Sequence, residues 1–363
     1  MSRAVRLGVV GCGNVLRESY RRELDMLRAA GRVEPIVACS RRASSGEEML
    51  SSRFGFARYT TDHRAVTGAD DVDLVLITTS NQAHGPIARA ALMAGKHVLV
   101  EKPMSTSLAE AAELVELART SAGHLVSAPY VILSPTFQRI WRRVQGGDIG
   151  RPLSGRAMCG WAGPDWGQWF YRPGGGSMLD LGIYNVVALT GLLGPARRVA
   201  GLVGTAIKER IVEGRPMTVE TDDNAQICIE FTGDCYAVVT TGFTIQRYRT
   251  PGIEIYGSTG TIQMMGASWG PDGYELWQND RGAWQVFEEE DPDWRWTDGL
   301  RHVVECLETG RRPLIRPDHV YHALEIIEAA RQAGRDGQRR EIRSTFAPLE
   351  LLAEDDNPEV LRR

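Results

Sequence analysis

The chain reads as a two-part α/β protein: a doubly wound parallel (Rossmann) sheet, then an α+β part with an open, mainly antiparallel sheet. Three observations predict this. A short apolar strand, Val5-Arg6-Leu7-Gly8-Val9-Val10, runs into Gly11-Cys12-Gly13 and then a helical pattern. Short apolar strands and helices alternate from there to about residue 128, the rhythm of βαβ units. Beyond that point strands follow one another through tight turns such as Gly233-Asp234 and Gly257-Ser258-Thr259-Gly260, the rhythm of antiparallel hairpins. The expected limits are 1–128 for the first domain, 129–345 for the second and 346–363 for a polar C-terminal tail.

In the first part, Leu16, Tyr20, Leu24 and Leu27 fall on one face of the opening helix. Strand, Gly-x-Gly and helix form the context in which a backbone turn holds a pyrophosphate at a helix N-terminus. That makes Gly11, Cys12, Gly13, Asn14 and Val15 candidate cofactor contacts, with a plain βα turn as the alternative. The third fingerprint position is Leu16 rather than Gly or Ala, so the helix is expected to stand slightly off the sheet. The strand Val33 to Cys39 ends at Ser40-Arg41-Arg42, and no acid occurs before Glu47. A hydroxyl followed by two guanidiniums suits a ribose 2′-phosphate better than a free 2′-OH. NADP(H) is therefore expected in preference to NAD(H), against the alternative of a solvated turn. Asp73 to Thr79 reads as a strand buried on both faces. Ser80-Asn81-Gln82-Ala83-His84 follows it, then the helical run Pro86 to Ala94. His97 to Val100 is the next strand and ends at Glu101-Lys102-Pro103. A helix over Ser107 to Thr120 is expected to turn Leu108, Ala111, Ala112, Val115 and Leu117 inward, before a last strand from His124. Ligands of such sheets lie at the carboxyl ends of the strands, which adds Thr79, Ser80, Asn81, His84, Glu101 and Lys102 to the candidate cofactor site. Lys102 is either a solvated charge or a cation on the rim beside a nicotinamide.

In the second part, Gly174-Gly175-Gly176 opens a helix from Ser177 to Leu193, with Ser177 placed as its cap. Asp180 and Tyr184 are four apart, hence on one face about a turn apart. A carboxylate and a phenol behind a glycine backbone suit proton transfer; the bland alternative is an acid at the positive end of a helix and a core aromatic. Strands are expected over Leu153 to Trp161, Val199 to Ile207, Ala225 to Phe231, Tyr236 to Gln246, Gly252 to Tyr256 and Thr261 to Met265. The loop Gly163 to Arg172 is rich in Trp, and aromatic faces beside polar groups suit sugar rings, although an anchored loop reads the same way. Candidate substrate contacts are Tyr130, Trp166, Tyr171, Asp180 and Tyr184, with the loop around Tyr248 as a further candidate. Late helices are expected over Trp296 to Leu307 and Asp318 to Ala333. His319 and His322 lie three apart with no carboxylate motif beside them, so no metal is expected.

The bulk numbers fit this picture. With 363 residues the chain has room for about two cores. A net charge of −4 argues against nucleic acid or an anionic membrane as partner. No apolar run reaches bilayer length, and the N-terminus runs straight into a strand pattern. The six cysteines, at 12, 39, 159, 228, 235 and 306, form no CxxC pair. A reducing cytoplasm is the expected compartment.

Gly11-x-Gly13, Glu101-Lys102-Pro103 and Gly174-Gly175-Gly176…Asp180-x-Gly182-x-Tyr184 occur in that order. Together they resemble the glucose–fructose oxidoreductase / inositol dehydrogenase / rhizopine-catabolism (Gfo/Idh/MocA) family. The resemblance implies a Rossmann domain, a C-terminal domain with an open antiparallel sheet, and pairing through that sheet into dimers or tetramers. It implies NAD(P) as cofactor and a hydroxyl/carbonyl pair of a sugar or cyclitol as substrate. By the same resemblance Lys102 is the substrate-binding lysine near the nicotinamide and Asp180 the substrate-holding aspartate. Tyr184 stands where many members place a catalytic histidine. Lys102 is expected to favour the Tyr184 phenolate. Two departures are Leu16 at the third glycine and Ser80 where Pro is common. The leading expectation is an NADP(H)-dependent sugar or polyol oxidoreductase. The alternatives are a glycoside hydrolase or lyase that oxidises its substrate transiently with tightly held NAD(P), and a non-catalytic NADP-binding regulator.

Overall fold

In a computed structural model of the chain, residues 3–288, 291 and 293–349 are described. The chain forms two compact units. The first holds residues up to Tyr130 together with Thr297–Tyr321; the second holds Val131–Trp296 and the chain from His322.

The first unit is built on six parallel strands: β1 (Val5–Val10), β2 (Val33–Cys39), β3 (Arg58–Thr60), β4 (Leu74–Ile77), β5 (His97–Val100) and β6 (Leu125–Ser127). Their order in the sheet is β3-β2-β1-β4-β5-β6, so the order reverses beside β1. Leu74, Val75, Leu76 and Ile77 are all fully buried, as a strand covered on both faces requires. Leu16, Tyr20, Leu24 and Leu27 all pack inward. Their helix opens as a wide π turn over Val15–Tyr20 before becoming α-helical at Arg21–Ala29, and Leu16 is entirely buried within that opening. The helix Leu108–Thr120 is capped by Ser107 and buries Ala111, Leu114 and Val115. Ala112 is exposed instead, because 111, 114 and 115 share the inward face at a spacing of 3.6 residues. The helix Gly299–Thr309 belongs to this unit although it comes late in the sequence. It buries Leu300, Val303 and Val304, and Glu308 takes Arg32 at 2.7 Å.

The second unit adds β7 (Pro152–Gly160), β8 (Ala196–Gly204), β9 (Glu209–Val212), β10 (Arg215–Thr218), β11 (Asn224–Phe231), β12 (Tyr236–Gly242), β13 (Ile253–Gly257), β14 (Gly260–Ala267), β15 (Gly270–Gln278), β16 (Ala283–Phe287) and β17 (Arg340–Glu341). Among the described residues nine of these form one sheet, in the order β16-β15-β14-β13-β7-β12-β11-β8-β17. All neighbours are antiparallel except β7 and β12. β11 buries Ala225, Ile227, Ile229 and Phe231 and exposes the residues between them, as its alternation predicts. The β11–β12 turn uses positive φ at both Gly233 and Asp234, the backbone a tight hairpin needs. β9 and β10 pair as a separate hairpin. The sequence reading missed it, and missed β15 and β16: β9 and β10 are only four residues each, β15 is interrupted by Gly270, Pro271 and Gly273, and β16 exposes Ala283 and Trp284 in succession, so none shows a clean period of two. Of the expected tail, Phe346 and Leu349 are buried, Phe346 against the His322 ring at 5.3 Å. Residues 350–363 lie outside the described residues. No helix among the described residues is long and apolar enough to cross a membrane.

Candidate active site

The first unit carries the candidate cofactor contacts. Gly11 has φ +111, and a Cβ there would lie 2.5 Å from the carbonyl oxygen of Thr78. Thr78 Oγ1 donates to Gly11 O at 2.6 Å, and Gly11 N–H donates to Cys39 O at 2.8 Å. The turn is thus closed between β1, β2 and β4, and only glycine fits. Gly13 is exposed, and a Cβ there would meet nothing within 4 Å. No side chain caps the helix that follows, so its first N–H groups remain available to an anion. These residues fit a dinucleotide pyrophosphate. Cys12 is buried, with its thiol donating weakly to Cys39 O at 3.5 Å, and burial pushes its pKa up to about 12. It contributes backbone to the turn rather than reactivity. Asn14 is exposed and Val15 half-buried at the mouth of the helix.

At the end of β2, Arg41 and Arg42 are exposed, and no carboxylate among the described residues pairs with either guanidinium. Glu48, an acid in the helix that follows, is held by Arg17 at 2.8 Å. Ser40 Oγ lies 2.7 Å from the Tyr59 hydroxyl, which also donates to Arg42 O at 2.5 Å. Tyr59, from β3, therefore braces this turn; sequence reasoning passed over it, since nothing near Tyr59 in sequence points back to residue 40.

The strand-end residues divide into two kinds. Thr79 and Ser80 are half-buried at the carboxyl end of β4. His84 is buried, and its two ring nitrogens lie 3.1 Å from Thr79 O and 2.8 Å from Pro103 O. It ties the end of β4 to the segment after Lys102. Asn81 is buried as well. Glu101 is buried, accepts from the Tyr20 hydroxyl at 2.6 Å, and accepts from Lys102 N–H at 3.2 Å. Burial and the Glu101 carboxylate push the Tyr20 phenol well above its ordinary range, so Tyr20 stays a donor. The Tyr130 hydroxyl lies 3.2 Å from that of Tyr20, and Tyr130 is fully buried. The ring packs under Gly299 and the hydroxyl joins that of Tyr20. Lys102 itself is half-buried.

The second unit carries Asp180 and Tyr184. Their helix opens as a π turn over Met178–Gly182 and continues as an α-helix over Ile183–Leu193. The wider turn changes the angle between residues four apart from the α-helical value assumed from sequence. Asp180 is half-buried and Tyr184 buried. Ser177 does not cap the helix. Its hydroxyl donates to Asp222 Oδ2 at 2.9 Å, and it is Asp222, just before β11, that accepts the Met178 N–H at 2.8 Å. Trp269, in the turn between β14 and β15, stands edge-on to Tyr184 with ring centroids 5.6 Å apart. The sequence reading did not single it out, because it is remote in sequence.

The Trp-rich loop is anchored on its own aromatic cluster. Tyr171 is fully buried, donates to Pro164 O at 2.7 Å, and carries the Arg210 guanidinium 5.2 Å over its ring. These contacts anchor the loop. Arg210, on β9, donates to Ala162 O at 2.6 Å and to Phe243 O at 2.7 Å. Trp166 remains about half exposed, packed on Trp161 and Phe170. Burial pushes the Tyr248 phenol up to about 12.

Residues 5–128 match the model of an oxidoreductase family with an NAD-binding Rossmann fold, GFO_IDH_MocA, and residues 137–263 match the C-terminal domain of the same family. A dTDP-3,4-didehydro-2,6-dideoxy-alpha-D-glucose 3-reductase of Streptomyces violaceoruber is 30% identical over 274 residues, which cover 75% of this chain and 76% of the reductase. The chain belongs to the GFO/IDH/MocA oxidoreductase family. Among similar family members, a 1,5-anhydro-D-fructose reductase of Ensifer adhaerens is 28% identical across 71% of this chain and 74% of its own. A trans-1,2-dihydrobenzene-1,2-diol dehydrogenase of Bos taurus is 24% identical across 90% of this chain and 97% of its own. A solved levoglucosan dehydrogenase in complex with NADH shares the fold, with a TM-score of 0.83 and 19% identity, covering 94% of this chain and 100% of that one.

Proposed function

We propose that this protein is an NADP(H)-dependent oxidoreductase acting on the CH–OH/C=O group of a sugar, polyol or sugar derivative. The observation that carries the reading is the pairing, within one family member, of two features. One is an uncapped helix N-terminus behind Gly11 and Gly13. The other is the Asp180–Tyr184 helix opening, with Trp269 against the phenol. The named relatives, reductases of deoxysugars and of anhydrofructose, support the substrate class.

A bound nicotinamide coenzyme supplies a hydride in the reducing direction or takes one in the oxidising direction. In reduction, Tyr184 donates its proton to the oxygen that becomes the alkoxide. The Lys102 ammonium favours the phenolate left behind and polarises the same oxygen. Asp180 orients neighbouring hydroxyls through charge-assisted hydrogen bonds. Trp269 keeps water from one side of the phenol, and Trp166 offers an exposed aromatic face to a sugar ring. Arg41 and Arg42, exposed and without carboxylate partners, bind the 2′-phosphate and set the preference for NADP(H).

We further propose a second copy of this chain as the partner of the outer sheet face, where Leu202, Tyr236, Val238, Trp284 and Val286 are exposed, and the cytoplasm as the compartment, where thiols such as Cys12 and Cys39 stay reduced.

The test is a titration of the wild-type protein with NADPH and NADH, followed by a panel of ketosugars, aldoses and polyols read at the nicotinamide absorbance. NADPH is expected to bind about tenfold or more tightly than NADH, with turnover of at least one carbonyl sugar. Equal affinity for both coenzymes sinks the NADP preference. Cleavage of a glycoside with no net change in absorbance would select transient oxidation instead.

A further inference from the structure

We propose that the Arg331–Asp222 ion pair is a positioning device for the segment carrying Asp180 and Tyr184. The inference rests on the reading of those two residues as catalytic.

Three stretches far apart in sequence meet here. Arg331, in the helix Pro317–Asp336, donates through Nη2 to Gly175 O at 2.7 Å and to Asp222 Oδ1 at 2.6 Å, and through Nε to Oδ1 at 2.8 Å. Its Nη1 is held by Glu328 at 2.6 Å. Asp222 uses its other oxygen, Oδ2, for the Met178 N–H and the Ser177 hydroxyl. Its backbone carbonyl accepts the Ser177 N–H at 2.9 Å. The carboxylate thus sits at the positive end of the helix and satisfies a donor that no local side chain caps. Nη2 alone joins the carbonyl before that helix to the carboxylate that caps it, while Nε on Asp222 and Nη1 on Glu328 fix the plane of the guanidinium, a fixed planar fork that a lysine ammonium lacks.

The glycines record the same device. Gly176 has φ +100, and a Cβ there would lie 2.5 Å from Asp222 Oδ1 and 2.7 Å from Arg331 Nη2. The ion pair occupies the space a side chain would need. The side chains are 13% exposed for Arg331 and 4% for Asp222, so removing either partner leaves the other charge buried and the backbone it held unanchored. Asp180 N–H donates to Gly176 O at 3.0 Å, so a shift of Gly176 passes directly to Asp180. Near-attack geometry tolerates little of this, because a displacement of about 1 Å costs about 10²-fold in rate.

The test compares wild type with Arg331→Ala and Arg331→Lys, using full-length protein whose cooperative melting is checked first. Coenzyme affinity, governed by the first unit, is expected to stay within about twofold. Hydrogen exchange of the peptide spanning 174–182 is expected to rise about tenfold in Arg331→Ala. On a sugar that wild type turns over, kcat is expected to fall about 10²-fold with KM changed far less. Added guanidinium ion is expected to restore part of both, and Arg331→Lys to fall between. An unchanged kcat or an unchanged exchange rate in folded Arg331→Ala overturns the proposal, as does a loss that guanidinium leaves untouched, which marks general unpacking. If wild type turns over no sugar at all, the functional reading falls, while exchange at 174–182 with and without guanidinium still decides whether the ion pair places the segment.

Discussion

Lys102 and Tyr184 became candidates by different routes. Lys102 was legible because Glu101-Lys102-Pro103 ends a strand. What the strand end does not disclose is that Glu101 turns away to Tyr20 and holds the Lys102 backbone from behind. Tyr184 was legible from its spacing to Asp180, whereas Trp269 against it was not, since a turn between two strands carries no local signal for what it will touch. For Tyr130 and Tyr171 the buried partners of the hydroxyls were not legible, because an aromatic beside a loop reads the same whether its hydroxyl faces a ligand or a buried acceptor. At this scale the expected outcome is that Lys102→Met and Tyr184→Phe each lower kcat/KM for an accepted sugar by about 10² to 10⁴-fold. Coenzyme affinity in Tyr184→Phe should be unchanged. Wild-type turnover by either variant, measured by steady-state kinetics, removes that residue from the chemistry.

Elements extend the pattern. Both helices that carry candidate site residues open with a π turn, at Val15–Tyr20 and at Met178–Gly182, and both do so after a glycine turn. Periodicity placed the helices correctly but presupposed an α-helical pitch, so the angle between Asp180 and Tyr184 was beyond its reach. The caps were misread for a related reason. Ser177 has the residue type of an N-cap, yet Asp222 fills that role from the neighbouring strand end. Two histidines join elements in the same fashion. His302 Nε2 accepts the Leu314 N–H at 2.9 Å, and His322 Nε2 accepts the Ala196 N–H at 2.9 Å while Nδ1 faces Ser344. Each must be neutral to accept, and burial pushes each pKa down to about 4. Folded values below the unfolded one of about 6.5 mean that the stabilisation is complete above pH 6.5 and is lost as pH falls toward 4. By pH 5 the loss is about 2 kcal/mol for each histidine. Denaturant unfolding at pH 7.5 and pH 5 is expected to show this drop. His322→Gln should reduce the drop by about one histidine's share; an equal drop in the variant refutes the assignment.

At the scale of the whole sheet, the second unit presents an outer face studded with apolar side chains. Because β8, β11 and β12 bury one side, the other carries Leu202, Cys228, Tyr236 and Val238 outward. Apolar exposure of that extent on adjacent strands is the mark of a covered surface, and a second copy is the proposed cover. Leu202→Glu with Val238→Glu is expected to halve the mass seen by light scattering while leaving the melting transition cooperative. A wild-type protein that is already monomeric at micromolar concentration disproves the pairing.

Sequence by itself determined the alternating strands and helices of the first unit, the parallel and mainly antiparallel halves and the glycine turn at Gly11, and it nominated Lys102, Asp180 and Tyr184 as candidates. Those features are written in local periodicity and in short motifs, where neighbours in sequence are neighbours in space. Only the tertiary structure decided that the helix Gly299–Thr309 packs with the first unit, that Arg210 pins the Trp-rich loop, and that Arg331 and Asp222 hold the turn before Asp180. Each of these is a contact between residues scores of positions apart, and the chain must fold before the partner of a buried charge can be named.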